Sequence, residues 1–403
     1  MKAPKRPDAS VNLTSPSPVT GFSPDVVSLT ESVYGSDSQD VLKALSTPVR
    51  TYYVRCNTLK ISPDELKHKL VNKGLRVSQH SEIPEALGIE VDGPFDICPT
   101  GKELIVDKYT AESVLQGANV YAPGVIKCQL IHFGEPVTVI SETDDILATG
   151  KALMSSNEIL TFRKGLAVRL EKRKYEAPQV RELPEYSDGM LYPQSLAAMA
   201  TSRVLDPQQD ETILDLNCAP GGKLSHISQL MKNFGKIIGL DRNAEKISST
   251  RQTITRLGCS NVTVSIHDSR YAGADFTNLK PNRVLVDPPC SALGLRPKIY
   301  DRTSRQRVHD LMEYQKQFVR AASAIVRPGG VVVYSVCTYT PEECEEVVSF
   351  AEHECGLQAV EQKPFVASMG GQSSRCQRFH PVLDEIGYFI AKFERRSERT
   401  PED

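Results

Sequence analysis

From about residue 190 onward, short apolar runs alternate with longer stretches of helical periodicity. ETILDLN, GKIIGLD, VTVSIHD, NRVLVDPP and GGVVVYSVC read as strands, each followed by a glycine or proline turn and a helical segment. Strands spaced by helices of about 10–15 residues predict βαβ units and a parallel sheet buried on both faces. GYFIAKF, near the end, alternates and has no crossover helix after it, so it is expected to return antiparallel at the sheet edge. Upstream the texture differs. Residues 25–100 read as a small α/β region, in which RTYYVRCNTLK is extended and ISPDELKHKL opens a helix at Ser-Pro. Residues 101–176 carry short apolar alternations broken by glycine, as in VLQGANVYAPGVI and GEPVTVISE, and predict a β-rich domain. Residues 1–24, rich in Pro and Ser, predict a disordered tail. The fold class is therefore α/β, with a Rossmann-like sheet over 190–397 preceded by two smaller units.

The strand ends carry the candidate chemistry. After Asp215 comes the turn Cys218-Ala219-Pro220-Gly221-Gly222-Lys223 and then a helix. Paired glycines let backbone approach a ligand, and a helix N-terminus favours electron-rich groups. The spacing is neither GxGxxG nor GxxxxGK[ST]. The second strand ends at Asp241, about 20 residues on, where an acid can bond ribose hydroxyls. The third leads to Asp268, placed to accept from an adenine amino group. A glycine turn with two acids on successive strand ends, lacking phosphate-binding spacing, fits S-adenosylmethionine better than a dinucleotide.

The fourth strand ends in Asp287-Pro-Pro-Cys290 and the fifth in YSVC with Cys337. A buried cysteine is usually a small hydrophobe. Two at neighbouring strand ends on the cofactor edge suggest more. Carbon 5 of a pyrimidine becomes nucleophilic when a thiolate adds to carbon 6, and product release then needs a base. Two thiols can divide that work, with Asp287 bonding the cytosine ring nitrogen and amino group. An amino-group methyltransferase using the DPP loop, and a silent RNA-binding module, are the alternatives. The first has no use for Cys337, and the second predicts binding without turnover.

VLVDPPCSALG, YSVCTYTPEECEEVV, DLNCAPGGK and RFHPVLDEIGYFIAKF together resemble the Nop/Sun-type RNA cytosine-5 methyltransferases. The resemblance implies that Cys337 is the nucleophile and Cys290 the releasing residue. It further implies that Asp287 and Lys223 contact the target base, and that residues 218–223 with Asp241, Lys246, Asp268 and Asp287 hold the cofactor. RTYYVRCNTLK is similar to the family's region before the catalytic domain, an RNA-binding region by that resemblance. Residues 101–176 resemble a PUA domain, which implies the PUA-bearing branch and the acceptor end of particular tRNAs as substrate. The chain departs from the family pattern at Pro288-Pro289, Ala292 and Glu343-Cys344-Glu345.

Charge adds little direction. The net charge is −2, so an RNA partner must be met by local patches. SETDDILATGKALMSSNEI is acidic where the PUA-bearing branch is lysine-rich, and tRNA docking there is expected to differ. LTFRKGLAVRLEKRK and LRPKIYDRTSRQRVHD are basic. Of the second cluster, Arg296 and Lys298 lie nearest Cys290 in sequence and are the candidate phosphate contacts, with Tyr121 a candidate for stacking on a base. The ten cysteines include no CxxC pair, so no zinc site is expected. No run approaches a membrane span and no signal-like segment is present, so a cytosolic or nuclear monomer away from membranes is the default.

Overall fold

The computed structural model describes residues 21–370 and 375–396. The first 20 residues of the expected tail lie outside it, whereas Phe22 already bridges Asp301 and a helix begins at Pro24, capped by the Ser23 hydroxyl. The large sheet places Val262–Ile266, Lys236–Asp241, Thr212–Asp215, Arg283–Val286 and Val331–Val336 side by side, all parallel. Alternate residues face opposite layers. Val284, Val286, Val332 and Tyr334 enter one core, while Ile213, Leu285, Val333 and Ile390 enter the other. Two buried faces explain why these strands read as unbroken apolar runs.

The last strand, Tyr388–Arg395, runs antiparallel as its pattern predicted, but it is interior and not an edge. It pairs with Val331–Val336 on one side and with Cys376–Phe379 on the other. Cys376–Phe379 supplies that extra strand; only its last two residues fell within the RFHPVL motif, and its short length hid it.

Residues 102–173 form a separate mixed sheet with its own core of Leu104, Val106, Val137, Val139, Ala148 and Val168. This unit interrupts another. A four-stranded sheet joins Val77–Gln79, Ala86–Glu90, Thr51–Cys56 and finally Leu191–Pro193, which lies beyond the β-rich domain. Its core likewise spans the interruption, combining Val54, Leu66, Leu70 and Leu87 with Val180 and Leu191. The helices Pro24–Tyr34 and Ser38–Leu45 leave this unit altogether and pack on Leu293, Val308 and Tyr339 of the large domain. Residues 25–100 are thus two separate supports for the large domain. Among the described residues no helix is long and apolar enough to cross a membrane.

Candidate active site

The strand order places the reversal point between the first and fourth parallel strands, where open α/β sheets bind ligands at their carboxyl ends. The chain leaves the first strand at Asp215 and turns through Cys218–Pro220. Gly221, at φ +99, opens the helix Gly222–Leu230. A side chain at Gly222 would press on the Tyr192 ring at 3.0 Å, so the turn needs its second glycine for closeness to the N-terminal unit. Arg55, 1% exposed, crosses that junction. It donates to Gly222 O at 2.6 Å, Gln194 Oε1 at 2.6 Å and Ser225 Oγ at 2.8 Å. Asn57 and Lys60 donate to carbonyls of Gly189, Leu257, Asp188 and Arg256. The polar groups of RCNTLK therefore clamp the catalytic domain from behind.

Beside the turn, a cleft is lined by Asn217, Asp241, Lys246, His267, Asp268 and Ser269, with Tyr314 and Phe318 as an apolar wall. Asn217 Oδ1, His267 Nδ1 and Ser269 Oγ are buried without a hydrogen-bond partner among the described residues. Unpaired buried polar atoms are costly, and here they ring an opening with the donor and acceptor set of a nucleoside. These residues fit S-adenosylmethionine. Of the sequence-assigned group, Asp241, Lys246 and Asp268 line the cleft, and Asp268 is also held by Arg270 at 2.5 and 2.9 Å. The Cys218 side chain does not reach the cleft. Its sulfur packs against Gly239, where a Cβ would come within 3.0 Å, and it is 3% exposed. Only backbone at Cys218 can serve a ligand.

The candidate reacting groups lie next to this cleft. Cys290 and Cys337 approach to 3.2 Å between sulfurs. Lys223 Nζ donates to Asp287 Oδ2 at 2.5 Å, and Ser335 Oγ donates to Asp287 Oδ1 at 2.9 Å. The Tyr388 hydroxyl donates to the same Oδ1 at 3.4 Å, and its ring lies 5.6 Å from Lys223 Nζ. Burial alone would favour a neutral Lys223. The Asp287 carboxylate outweighs it and holds the ammonium above its ordinary range. The Cys290 thiol is pushed well above the ordinary cysteine range by its hydrogen bond with Cys337, then by burial, then by the charges of Cys337 and Glu343. Asp215, 1% exposed, is pushed up to about 7 chiefly by burial. Gly294 N donates to Cys337 O at 3.1 Å, and a Cβ on Gly294 would meet Gly387 O at 1.9 Å, so this loop closes on the fifth strand only with glycine there.

The fold thus brings Cys290, Cys337, Asp287 and Lys223 together and leaves three residues elsewhere. Tyr121 stands 56% exposed on the β-rich domain. Arg296 is half-buried and Lys298 buried, and both spend their donors inside the protein, which corrects their sequence assignment as phosphate contacts. Arg296 spends its guanidinium on Thr47 O and Oγ1, Pro48 O, Pro381 O and Glu385 O. Lys298, 7% exposed, donates to Asp301 Oδ2 at 2.8 Å. Sequence reasoning missed Ser335 and Tyr388, which lay inside strands read only for their apolar pattern. It missed Glu343 and Gln315 as well, both fully buried beside Cys290; only the GluGlu dipeptide after Cys337 hinted at the first.

Residues 202–394 match the family described as 16S rRNA methyltransferase RsmB/F, and residues 102–173 match the PUA domain. The tRNA (cytosine(72)-C(5))-methyltransferase of Pyrococcus horikoshii is 37% identical over 361 residues, covering 88% of this chain and 92% of that protein. Human tRNA (cytosine(72)-C(5))-methyltransferase NSUN6 is 32% identical, covering 88% and 90%. The crystal structure of NSun6 from Pyrococcus horikoshii with SFG superposes with a TM-score of 0.87 at 36% identity, covering 94% of this chain and 99% of that one. The order of the catalytic blocks, the convergence of two thiols on a cofactor cleft, and these likenesses lead to one conclusion: the chain belongs to the S-adenosylmethionine-dependent RNA cytosine-5 methyltransferases, in the PUA-bearing branch typified by NSUN6.

Proposed function

We propose that this enzyme methylates carbon 5 of a cytosine in the acceptor stem of tRNA, position 72, through a covalent bond between Cys337 and the base. Both relatives named above carry that position in their names. The observation that carries the chemistry is the pair of sulfurs 3.2 Å apart beside the Lys223–Asp287 ion pair. A target base must be flipped or single-stranded, since carbon 6 is inaccessible within a stack.

Cys337, as the thiolate, adds to carbon 6, and the electron pair of the 5,6 double bond moves into the ring toward N3. The Lys223 ammonium donates to the ring nitrogen, where that charge develops, and the Asp287 carboxylate accepts from the exocyclic amino group. Bound S-adenosylmethionine supplies the methyl group. Cys290 handles the carbon-5 proton in the return half. As that proton leaves, its bonding pair re-forms the double bond and the Cys337 sulfur departs with the C6–S electrons. With its sulfur 3.2 Å from that of Cys337, Cys290 in its thiolate form is placed to take the carbon-5 proton as Cys337 departs.

The PUA domain is the proposed tRNA-binding unit, with Tyr121 offering an exposed ring. Its acidic turn supports the docking of domains. Glu142 Oε1 accepts from Lys108 N at 3.0 Å and from Tyr300 Oη at 2.9 Å, and Glu112 Oε1 accepts from Ile299 N at 3.1 Å. These acids tie the PUA domain to the loop that follows Cys290, and the exposed Arg169 and Lys172 are among the basic residues of the PUA domain open to RNA phosphates.

The test is a denaturing gel of wild type, Cys290→Ala and Cys337→Ala incubated with S-adenosylmethionine and labelled tRNA. A covalent band confined to Cys290→Ala is the expected result. A band confined to Cys337→Ala reverses the two roles. No band and no methyl transfer in any lane refutes the two-thiol reading.

A further inference from the structure

Cys290 is flanked on both sides by hydrogen bonds to side chains that solvent never reaches. The residue before it, Pro289, offers its carbonyl to Gln315 Nε2 at 3.1 Å. The residue after it, Ser291, donates its N–H to Glu343 Oε1 at 2.9 Å. Gln315 Nε2 also donates to that same Oε1 at 2.8 Å, which closes the bracket. Behind it, the Tyr334 hydroxyl lies 2.9 Å from Gln315 Oε1 and 2.7 Å from Glu343 O. Gln315, Tyr334 and Glu343 are each 0% exposed.

The bracket also holds the other thiol's turn. Glu343 Oε2 accepts from Thr340 Oγ1 at 3.1 Å, three residues after Cys337. Ser291 Oγ lies 2.8 Å from Thr338 Oγ1, linking the two cysteine turns directly. A buried carboxylate without a cation is expensive unless its lone pairs are filled by other donors. Here the Ser291 backbone amide, the Gln315 side-chain amide and the Thr340 hydroxyl fill them, and the first and last belong to the turns that carry the sulfurs, while Gln315 reaches in from the helix Arg305–Ile325. A carboxylate that served only stability would more cheaply be an apolar side chain.

We infer that Glu343 and Gln315 are positioning residues that set the Cys290 sulfur against Cys337 for release of the methylated base, and that the first methyl transfer does not depend on them. This rests on the assignment of Cys290 to release. The bracket grips the peptide groups on either side of Cys290, whereas Cys337 is carried by its own strand, Val331–Val336, whose pairing continues on both sides. Loosening the bracket therefore displaces Cys290 first. Sub-ångström misplacement of a proton-handling group costs rate in the step it serves.

The experiment measures two rates with full-length protein and tRNA: methyl transfer in the first turnover, and disappearance of the covalent band. Their ratio reports only on molecules that fold and react, so partial misfolding cancels. Gln315→Met keeps the side-chain volume and removes both of its donated bonds. It is expected to slow release by about tenfold or more while first-turnover transfer stays within about threefold, as losing a hydrogen bond to a buried charge implies. Glu343→Leu should behave likewise. Glu343→Gln retains an acceptor for Ser291 and Gln315 and gains a donor for Thr340, so it should keep the wild-type ratio. Equal slowing of both steps by Gln315→Met would overturn the inference, as would a Glu343→Gln ratio no better than that of Glu343→Leu. Cys290→Ala runs alongside. If it traps the band while Gln315→Met slows both steps alike, the bracket fails alone; if it traps nothing, the release assignment falls and takes the bracket with it.

Discussion

Replacing Asp215 by asparagine should stabilise this enzyme at neutral pH and do nothing for it in acid. Asp215 ends the first strand, 1% exposed, and its Oδ1 accepts from Asn217 N at 3.1 Å. Burial pushes its carboxyl up to about 7. The Asn217 N–H and Lys223 oppose this, and the Asp287 and Asp241 carboxylates add to it. Below the 3.8 of an ordinary aspartate, folded and unfolded chains both hold the proton and the group contributes nothing. Between 3.8 and about 7 the unfolded chain ionises while the folded one keeps its proton, so stability falls as pH rises. Above about 7 the deficit is constant. At about 1.36 kcal/mol per pH unit the gap reaches at most about 4 kcal/mol. Asparagine keeps the Oδ1 acceptor for Asn217 and cannot ionise, so it escapes the deficit. Urea unfolding of Asp215→Asn and wild type should coincide near pH 4 and diverge progressively to pH 7.5. A difference that is constant across that range, or that shrinks with rising pH, would refute the reasoning.

Three further outcomes follow from the same geometry. Arg296→Gln should cost about 3 kcal/mol by breaking several carbonyl bonds of a charged group. It should also leave the salt dependence of tRNA binding unchanged, where loss of a true phosphate contact would lower the slope by about 0.9; filter binding across salt concentrations decides. Glu85, 1% exposed, accepts from Arg203 at 2.5 and 2.8 Å and from His226 at 2.7 Å. Burial opposes its ionisation, but His226 and Arg203 together hold the carboxyl well below its ordinary range, so its contribution is present above about pH 4.5 and fades below it. Glu85→Ala should therefore lose about 3 kcal/mol at pH 7, with the gap to wild type narrowing in thermal melts as pH falls below that point. Tyr339→Phe removes the 2.8 Å bond between its hydroxyl and buried Thr30, and should lower the unfolding free energy by about 1 kcal/mol. A melting temperature matching wild type would show that this hydrogen bond contributes nothing to holding the N-terminal helix on the Cys337 turn.

The sequence determined the parallel sheet, its carboxyl edge and the chemistry gathered there, because each rests on local rules. Unbroken apolar runs ending at Asp215, Asp241, Val286 and Val336, spaced by helical stretches, read as parallel strands buried on both faces, and a strand's last residue fixes which edge its side chain serves. That is why Cys290, Cys337, Asp287 and Lys223 could be placed on one edge from the chain alone. The resemblance, not spacing, ordered the two thiols.

What only the tertiary structure decided depends on partners distant in sequence. The sign of a charge cannot reveal whether it meets solvent. Arg296 and Lys298 looked like phosphate ligands and are spent on carbonyls and on Asp301, while Glu142, apparently opposed to RNA, docks one domain on another. The clamp at Arg55, the interruption of one sheet by the PUA domain, and the Gln315–Glu343 bracket all join residues more than 25 positions apart. Hydrogen bonds of that kind are set by which surfaces the folded chain brings together, and no local pattern encodes them.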